Sequence, residues 1–304
     1  MKTESNLERV LEAGQFAVTA EVSPPKSADA EVIRGKARMI KGCADAFNVT
    51  EGQMATVRMA SWASCLLLLE EGLEPVVQMT CRDRNRIALQ MDVLGIAALG
   101  INNILCLSGD PISLGNQPEA KEVYDLDSFQ LVKLVRDMRD ERKFQSREEM
   151  KVEPRLFIGA AANPFAPPLD YRPHRLAKKV DAGADFIQTQ IMFNVPKFRE
   201  YMKRVRELGL HERVHILAGV SPIKSYGAAR YMATQVPGID MPDEILERME
   251  RAPRDKEEGI KICTEIIRQV REIPGVKGVH IMAIGWEEAV PRVVEQAGLL
   301  PRPK

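Results

Sequence analysis

The chain has 304 residues, of which 45% are hydrophobic and 28% are charged, as in an ordinary globular protein long enough for one α/β barrel. Its 43 basic and 43 acidic side chains give a formal net charge of zero. This balance gives no reason to expect binding to nucleic acid or to an anionic membrane surface. No apolar signal segment begins the sequence, and its longest strongly apolar run, around residues 65–69, is far too short to span a bilayer. We therefore expect a cytoplasmic protein.

The five cysteines are dispersed along the chain, and no two of them have CxxC spacing. Such a set argues against a disulfide framework, and against a zinc or iron–sulfur site held by this chain alone. We therefore expect no metal site. The cysteines are Cys43, Cys65, Cys81, Cys106 and Cys263.

Short apolar or β-branched runs bounded by turn residues predict eight strands. These runs are residues 16–22, 46–50, 75–80, 102–108, 155–160, 185–190, 214–220 and 278–283. Between them, apolar residues recur at three- and four-residue spacing, which predicts helices. The helical stretches are residues 28–41, 57–71, 85–99, 128–140, 172–182, 196–208 and 224–234.

Alternating strands and helices imply a parallel sheet, and eight such units favour a single-domain (β/α)8 TIM barrel over residues 1–304. An open doubly wound sheet is the structural rival, although no Gly-x-Gly-x-x-Gly follows the first strand. Two insertions interrupt the alternation. One is a polar loop over residues 111–127 after the fourth strand, and the other is a long helical segment over residues 242–272 before the eighth.

The first strand carries an acidic residue where a barrel of this kind forms its active site, at the carboxyl ends of the strands. Strand alternation points Thr19 and Glu21 to the same side, into the barrel, just before the double proline 24–25. An inward carboxylate at the mouth is costly unless it is used or paired. Glu21 is therefore a candidate catalytic residue, with a surface glutamate in a proline turn as the alternative.

Polar residues also end the fourth and sixth strands. Ser108, Gly109 and Asp110 form a turn that offers a close backbone approach and a carboxylate, although such a turn taken alone is more often an ordinary Asx turn than a site. Gln188 and Gln190 place two amides at the end of the sixth strand, a pattern suited to hydrogen-bonding a heterocyclic ligand.

In these residues the sequence resembles the methylenetetrahydrofolate reductases, flavoprotein barrels that reduce 5,10-methylenetetrahydrofolate to 5-methyltetrahydrofolate. The resemblance covers nearly the whole chain. Its most specific parts are Glu21 with Pro24-Pro25, Asn48-Val49-Thr50, the turn 108–110, and the stretch 179–184 leading to Gln190. Their order on successive strands argues against chance similarity.

The resemblance implies an oxidoreductase in which Glu21 donates a proton to the substrate. The resulting iminium form of the substrate accepts hydride from reduced flavin. Asp110 would favour that cation and tune the flavin, and Gln190 would hydrogen-bond the pterin ring. Trp286 would either stack on the aminobenzoate part of the substrate or pack under the last helix.

The implied cofactor is a flavin, either FAD or FMN. Lys179 would meet its phosphate as a point charge, with a solvated helix residue as the alternative. Asn163 lies near the position where many relatives have a flavin-contacting histidine. The flavin contacts implied by the resemblance are Thr50, Ser108, Gly109, Asp110, Asn163 and Lys179.

Several departures from the family pattern bear on the electron donor. Gln78 stands near a position where many members have a histidine, the residues after Gln190 are less aromatic, and no arginine follows the last strand. The chain thus resembles the divergent reductases of acetogenic bacteria, which work with a small partner subunit and iron–sulfur electron-transfer proteins. Whether NADH, NADPH or an iron–sulfur carrier reduces the flavin stays open, as does a homo-oligomeric state.

Two other classes of function remain open from the residues. A barrel lyase or aldolase would use Glu21 as a base with a Schiff-base lysine, yet no inward lysine ends a strand. A non-catalytic flavin- or folate-binding electron-transfer subunit would need neither Glu21 nor Asp110.

Overall fold

The eight strands form a closed parallel barrel in which each strand pairs with the next along the chain and the eighth pairs with the first. The computed structural model describes residues 1–303. The strands are β1 (Ala17–Val22), β2 (Ala46–Val49), β3 (Pro75–Thr80), β4 (Asn103–Leu107), β5 (Phe157–Ala162), β6 (Phe186–Ile191), β7 (His215–Val220) and β8 (Val276–Ile281). The predicted TIM barrel is confirmed, and the open doubly wound sheet is excluded.

Helices connect the strands and surround the barrel. They are α1 (Asn6–Glu12), α2 (Ala30–Ile40), α3 (Ser61–Glu70), α4 (Arg86–Ala98), α5 (Ser128–Arg136), α6 (Arg172–Ala182), α7 (Val195–Glu207), α8 (Tyr226–Gln235), α9 (Asp243–Arg251), α10 (Asp255–Arg271) and α11 (Val290–Gln296). Among the described residues, none of these helices has both the length and the apolar character needed to cross a bilayer.

Local sequence signals explain where several helices begin and end. Asn85 caps α4 by accepting hydrogen bonds from the second and third amides of the helix. Asp127 and Gln130 form a reciprocal capping box at the start of α5. Gly183 ends α6 with a φ of 113°, in the left-handed region that glycine adopts without steric cost.

The helical segment predicted over residues 242–272 consists of two helices, α9 and α10. Pro253 lies between α9 and α10, and Ala252 before it has an extended ψ of 127°. A proline lacks the N–H that would continue the helix and disfavours helical geometry in the preceding residue. The break lets α9 pack against α8 while α10 packs against β7 and β8.

Helix α1, which the periodicity did not predict, closes the amino-terminal end of the barrel. Its residues Leu7, Val10 and Leu11 are buried against apolar side chains that point into the barrel. Ser5 caps the helix, and the Glu74 carboxylate accepts from the amide of Leu7 at 2.9 Å. The inward apolar residues are Ala17, Ala46, Val76, Leu105, Phe157, Phe186 and Leu217.

The barrel interior becomes polar one layer nearer the carboxyl ends of the strands. Four polar side chains form this layer, and each is at most 2% exposed: Thr19, Asn48, Gln188 and His280. The residue directly before each of them on its strand is apolar. Burial of four hydrogen-bonding side chains is costly unless they satisfy one another. The fold therefore places a connected polar layer directly beneath the mouth.

Candidate active site

A cavity of about 480 Å³ opens at the carboxyl ends of the strands. This is the end of the barrel where sequence alternation placed the candidate chemistry. The cavity brings together residues from β1, the loops after β4 and β5, helix α6 and β6. The predicted site residues that line it are Glu21, Ser108, Asp110, Asn163, Lys179 and Gln190.

Glu21 points into this cavity from β1, with 15% of its side chain exposed. Gln78 donates a hydrogen bond from Nε2 to Glu21 Oε1 at 3.3 Å. His280 Nε2 lies 3.6 Å from the same oxygen. His280 is 2% exposed and lies inside the barrel, beside the candidate acid.

Asp110 lies exposed at the rim of the cavity and is held by the loop after β2. Its Oδ2 accepts a hydrogen bond from the Met54 amide at 2.7 Å. Met54 and Ala55 have φ values of 52° and 49°, a conformation that is strained for residues with a side chain. The Asp110 carboxylate therefore anchors a strained turn on the neighbouring loop.

Gly109 does not line the cavity but determines how closely its loop can approach β3. Its φ is 94°, and an added Cβ would lie 3.0 Å from Arg82 Cβ and 3.2 Å from Thr80 Cβ. Sequence analysis missed Arg82, which is 4% exposed and donates to the carbonyl oxygens of Gly52 at 3.3 Å and Asp110 at 3.1 Å. Arg82 thus ties together the two loops that form this side of the rim.

Lys179 belongs to a cationic wall formed by one face of α6, which we define as Arg172, Arg175 and Lys179. Lys179 is 8% exposed, and it donates to the carbonyl oxygen of Ala161. Burial, reinforced by the charge of Arg175, lowers the pKa of Lys179 to about 8. Arg175 lies 4.9 Å from the ring of Phe129.

Among the described residues, no carboxylate is ion-paired with the cationic wall, although the negative charge of Asp127 acts on Lys179. Lys179, Arg172 and Arg175 all line the cavity. Sequence analysis missed the two arginines. They precede Lys179 by four and seven residues, and this spacing along one helix face is the signal that would have found them.

Gln190 and Asn163 line the cavity with their carbonyl oxygens already engaged. Gln190 Oε1 accepts from the Ile191 amide at 2.9 Å. Asn163 Oδ1 accepts from the amides of Phe165 and Ala166, each at 3.2 Å, in an Asx turn. What both residues can still offer a ligand is mainly their side-chain N–H donors.

Besides Gly109, two predicted site residues lie outside the cavity. Thr50 is 1% exposed, and its buried Oγ1 has no hydrogen-bond partner among the described residues. Trp286 is 3% exposed and packs in the apolar core with the Lys256 ammonium 5.5 Å from its ring. Of the two roles considered for Trp286, the structure places it in the packing position.

A (β/α)8 barrel with carboxylate, amide and cationic side chains around a cavity at the carboxyl ends of its strands has the construction of a barrel enzyme. The family model described as methylenetetrahydrofolate reductase matches residues 6–298, and the chain belongs to this family. A probable methylenetetrahydrofolate reductase (NADPH) of Caenorhabditis elegans is 25% identical over 75% of this chain. The chain spans 33% of the length of that relative.

Two further proteins match over most of their own length. The 5,10-methylenetetrahydrofolate reductase of Pectobacterium carotovorum is 23% identical, covering 95% of this chain and 92% of the relative. A solved structure from Clostridium thermocellum has a TM-score of 0.66 and 12% identity, covering 95% of this chain and 97% of that one. Its description is an uncharacterized protein that binds two copies of 5-methyl-5,6,7,8-tetrahydrofolic acid. At this identity the likeness supports the fold alone.

Proposed function

We propose that this chain reduces 5,10-methylenetetrahydrofolate to 5-methyltetrahydrofolate with the help of a bound flavin. The observation that carries the proposal is the position of Glu21, a partly buried carboxyl group inside the mouth cavity that accepts a hydrogen bond from Gln78 and lies beside the His280 ring. Membership of the reductase family supports the same activity, and neither the lyase nor the non-catalytic alternative receives comparable support.

The cavity residues fit a flavin that carries a phosphate group. No carboxylate of the described residues forms an ion pair with the cationic wall, and a buried amine with a lowered pKa is stabilised when an anion binds beside it. Lys179 and Arg175 would hold the phosphate. Ser108, Gly109, Asp110 and Asn163 would contact the rest of the cofactor, with Thr50 supporting it from beneath. A bound, reduced flavin would supply the hydride.

Glu21 would protonate a nitrogen of the substrate, which opens the imidazolidine ring to an iminium cation. General acid catalysis requires the donor to lie within hydrogen-bond reach of the proton's destination, and Glu21 is the carboxyl group that lines the inner part of the cavity. Asp110, at the rim, would stabilise the cation electrostatically. Gln190 would donate its free amide N–H groups to the pterin ring.

Membership of the reductase family supports a folate ligand for this chain. Trp286 is proposed to contribute indirectly, as packing beneath the carboxyl end of β8, because its ring is buried. Any stacking on the aminobenzoate group would require the ring to leave the core.

We further propose that electrons reach the flavin through a partner subunit and an iron–sulfur carrier. Departures from the family pattern, including Gln78 in place of a histidine, support this route. Exposed apolar side chains on the loops beside the cavity, Met54, Val57 and Leu114, are also consistent with a docked partner. Rapid NADH oxidation by the purified chain with no partner present would contradict this route while leaving the folate reaction intact.

The activity is tested by loading the purified chain with FAD or FMN, reducing the flavin anaerobically with dithionite, and mixing it with 5,10-methylenetetrahydrofolate. We expect the absorbance of oxidised flavin to return and 5-methyltetrahydrofolate to form in equal amount. A flavin that binds but stays reduced in excess substrate would contradict the proposed function.

A further inference from the structure

The polar layer beneath Glu21 contains an amide pair that the proposed reaction does not use directly. Asn48 Nδ2 donates to Gln188 Oε1 at 2.7 Å, and Gln188 Nε2 donates back to Asn48 Oδ1 at 3.0 Å. Asn48 is fully buried and Gln188 is 2% exposed. A closed pair of this kind satisfies one N–H and one carbonyl oxygen on each partner. The second N–H of the Gln188 amide is therefore free to donate a hydrogen bond to a neighbouring residue.

That remaining N–H points at the hydroxyl group of Thr19. Gln188 Nε2 lies 3.0 Å from Thr19 Oγ1, and Thr19 is fully buried. A hydroxyl group that accepts from an amide keeps its own proton to donate elsewhere. The nearest acceptor is His280 Nδ1, at 2.9 Å from Thr19 Oγ1.

From this geometry we infer that the Asn48–Gln188 pair, acting through Thr19, sets the tautomer of His280 and thereby positions the proton of Glu21. If Nδ1 accepts from Thr19, the ring proton of neutral His280 resides on Nε2, which faces Glu21 Oε1 at 3.6 Å. The four residues are positioning residues, since the proposed step gives a role in proton transfer to Glu21 alone, although Gln188 and His280 also line the cavity.

If the hydrogen bonds from Gln188 through Thr19 to His280 ran in the opposite direction, an imidazole lone pair would face the Glu21 carboxylate. If Gln188 presented its carbonyl oxygen to Thr19, then Thr19 would donate to Gln188 and accept from His280 Nδ1–H. His280 Nε2 would then carry no proton and would face Glu21 Oε1. Two electron-rich atoms in a poorly solvated interior repel each other. The orientation of the hydrogen bonds that leaves the ring proton on His280 Nε2 is therefore favoured.

The consequence concerns which oxygen of Glu21 carries the acidic proton. Gln78 Nε2 and His280 Nε2 both approach Oε1. Gln78 donates a hydrogen bond to Oε1, and an N–H on His280 Nε2 would point toward the same oxygen from just beyond hydrogen-bond distance. Oε1 is therefore the carbonyl-like oxygen of the protonated carboxyl group. The proton therefore resides on Oε2 and is available to the substrate. Once Glu21 has given up its proton, the same two donors stabilise the carboxylate left behind.

The assignment is tested by measuring the tautomer of His280 in the flavin-loaded full chain labelled with ¹⁵N-histidine, using a His280→Asn variant to identify its signals among the four histidines. Long-range ¹H–¹⁵N correlation distinguishes an imidazole protonated at Nε2 from one protonated at Nδ1. We expect Nε2–H in the absence of substrate. A ring protonated on Nδ1, or on both nitrogens at neutral pH, would overturn the inference.

Two variants test the link to catalysis. Thr19→Ser keeps the hydroxyl group and is expected to keep both the tautomer and the rate. Thr19→Val has nearly the same shape without the hydroxyl group, and we expect it to lose the Nε2–H preference and to lower kcat by up to about 10²-fold, as for a misplaced reacting group, with KM little changed. Gln188→Glu presents a carboxylate to Thr19 and should move the proton to Nδ1.

A matched control is Asn103→Leu, which removes a fully buried amide at the opposite end of the barrel, where Asn103 bonds Ser5 and Glu74. It should lower stability without changing the tautomer or kcat. This inference rests on Glu21 acting as the proposed acid, but the two can fail separately. A wild-type rate in Thr19→Val would overturn the inference and leave the function standing, whereas the expected tautomer in a chain that reduces no folate would overturn the function alone.

Discussion

His280 faces Glu21 across the seam where β8 closes on β1, with its Nε2 atom 3.6 Å from Glu21 Oε1. The register of this strand pair sets Thr19 opposite His280, one inward position below Glu21. The contact exists because the barrel closes, since the two strands lie at opposite ends of the chain. It gives the candidate acid a fixed hydrogen-bonding environment and leads to the first prediction.

Replacing Glu21 by glutamine should abolish folate reduction while leaving flavin bound. Glutamine keeps the size and the hydrogen-bond acceptor but has no acidic proton, and general acid catalysis typically contributes about 10²–10⁴-fold to a rate. Single-turnover reoxidation of reduced flavin by 5,10-methylenetetrahydrofolate measures the effect. Glu12→Gln, an exposed glutamate at the end of α1, should react like the wild type. A normal rate in Glu21→Gln would contradict the proposed role.

Flavin binding should weaken as the pH rises above about 8. The pKa of Lys179 in the unliganded chain is about 8, lowered by burial and by Arg175, and a phosphate anion binds the protonated amine more tightly. Flavin binding therefore raises the pKa of Lys179. At pH values between the pKa of the free and of the bound chain, Lys179 takes up a proton when the flavin binds. Titration calorimetry with FMN in buffers of different ionisation enthalpy measures that uptake.

Lys179→Met should lower FMN affinity by about 10- to 100-fold at pH 7, the equivalent of one charge-assisted hydrogen bond, and should remove the proton uptake. Lys178→Met is the matched control, because Lys178 is exposed on the same helix and contacts Tyr171. Equal losses in the two variants would show that general positive charge, and not the buried amine, binds the phosphate.

Gly159→Ala should destabilise the barrel. A Cβ at residue 159 would lie 2.3 Å from the ring of Phe186, and that ring stacks on Phe157 with 5.1 Å between centroids. Because neither ring can move without disturbing the inner core, we expect a loss of about 1–3 kcal/mol in the free energy of unfolding. Gly35→Ala, on α2 with no atom within 4 Å of the added Cβ, should be neutral or stabilising. Chemical denaturation compares the two variants.

Arg302→Met should also be destabilising, because it leaves a buried carboxylate without its partner. Asp45 is 3% exposed, accepts from the Val18 amide at 2.7 Å and pairs with Arg302 at 2.5 Å. Removal of one partner of a buried ion pair typically costs about 3–5 kcal/mol. Arg155→Met, which removes an exposed contact with Glu153, should change the free energy of unfolding little. Equal midpoints of denaturation for both variants would contradict this prediction.

A second buried aspartate–arginine pair lies on the other side of the barrel, which indicates that such pairs have a structural role in this fold. Asp185 precedes β6 as Asp45 precedes β2, and it accepts from the Ile158 amide at 2.8 Å and pairs with Arg139 at 2.5 Å. Each aspartate thus joins the start of one strand to the backbone of the strand before it. Because Asp185 also pairs with Lys2, Arg139→Met should lower stability by less than Arg302→Met.

The sequence by itself determined the alternation of strands and helices, the parallel barrel and the inward direction of Glu21. These follow from local rules, because hydrophobic periodicity and strand alternation depend only on near neighbours in the chain. Strand bounds were correct to within two residues. The same rules missed α1 and α11, each only seven residues long, because so short a segment carries little periodic signal.

Only the tertiary structure decided which side chains meet. The register across the closing seam put His280 beside Glu21, and the packing of α6 aimed Arg175 and Lys179 at the same cavity. It also buried Trp286 in the core. Such contacts depend on the stagger with which eight strands close and on the rotation of each helix about its axis. Both are properties of the whole packed chain, and no local pattern of residues encodes them.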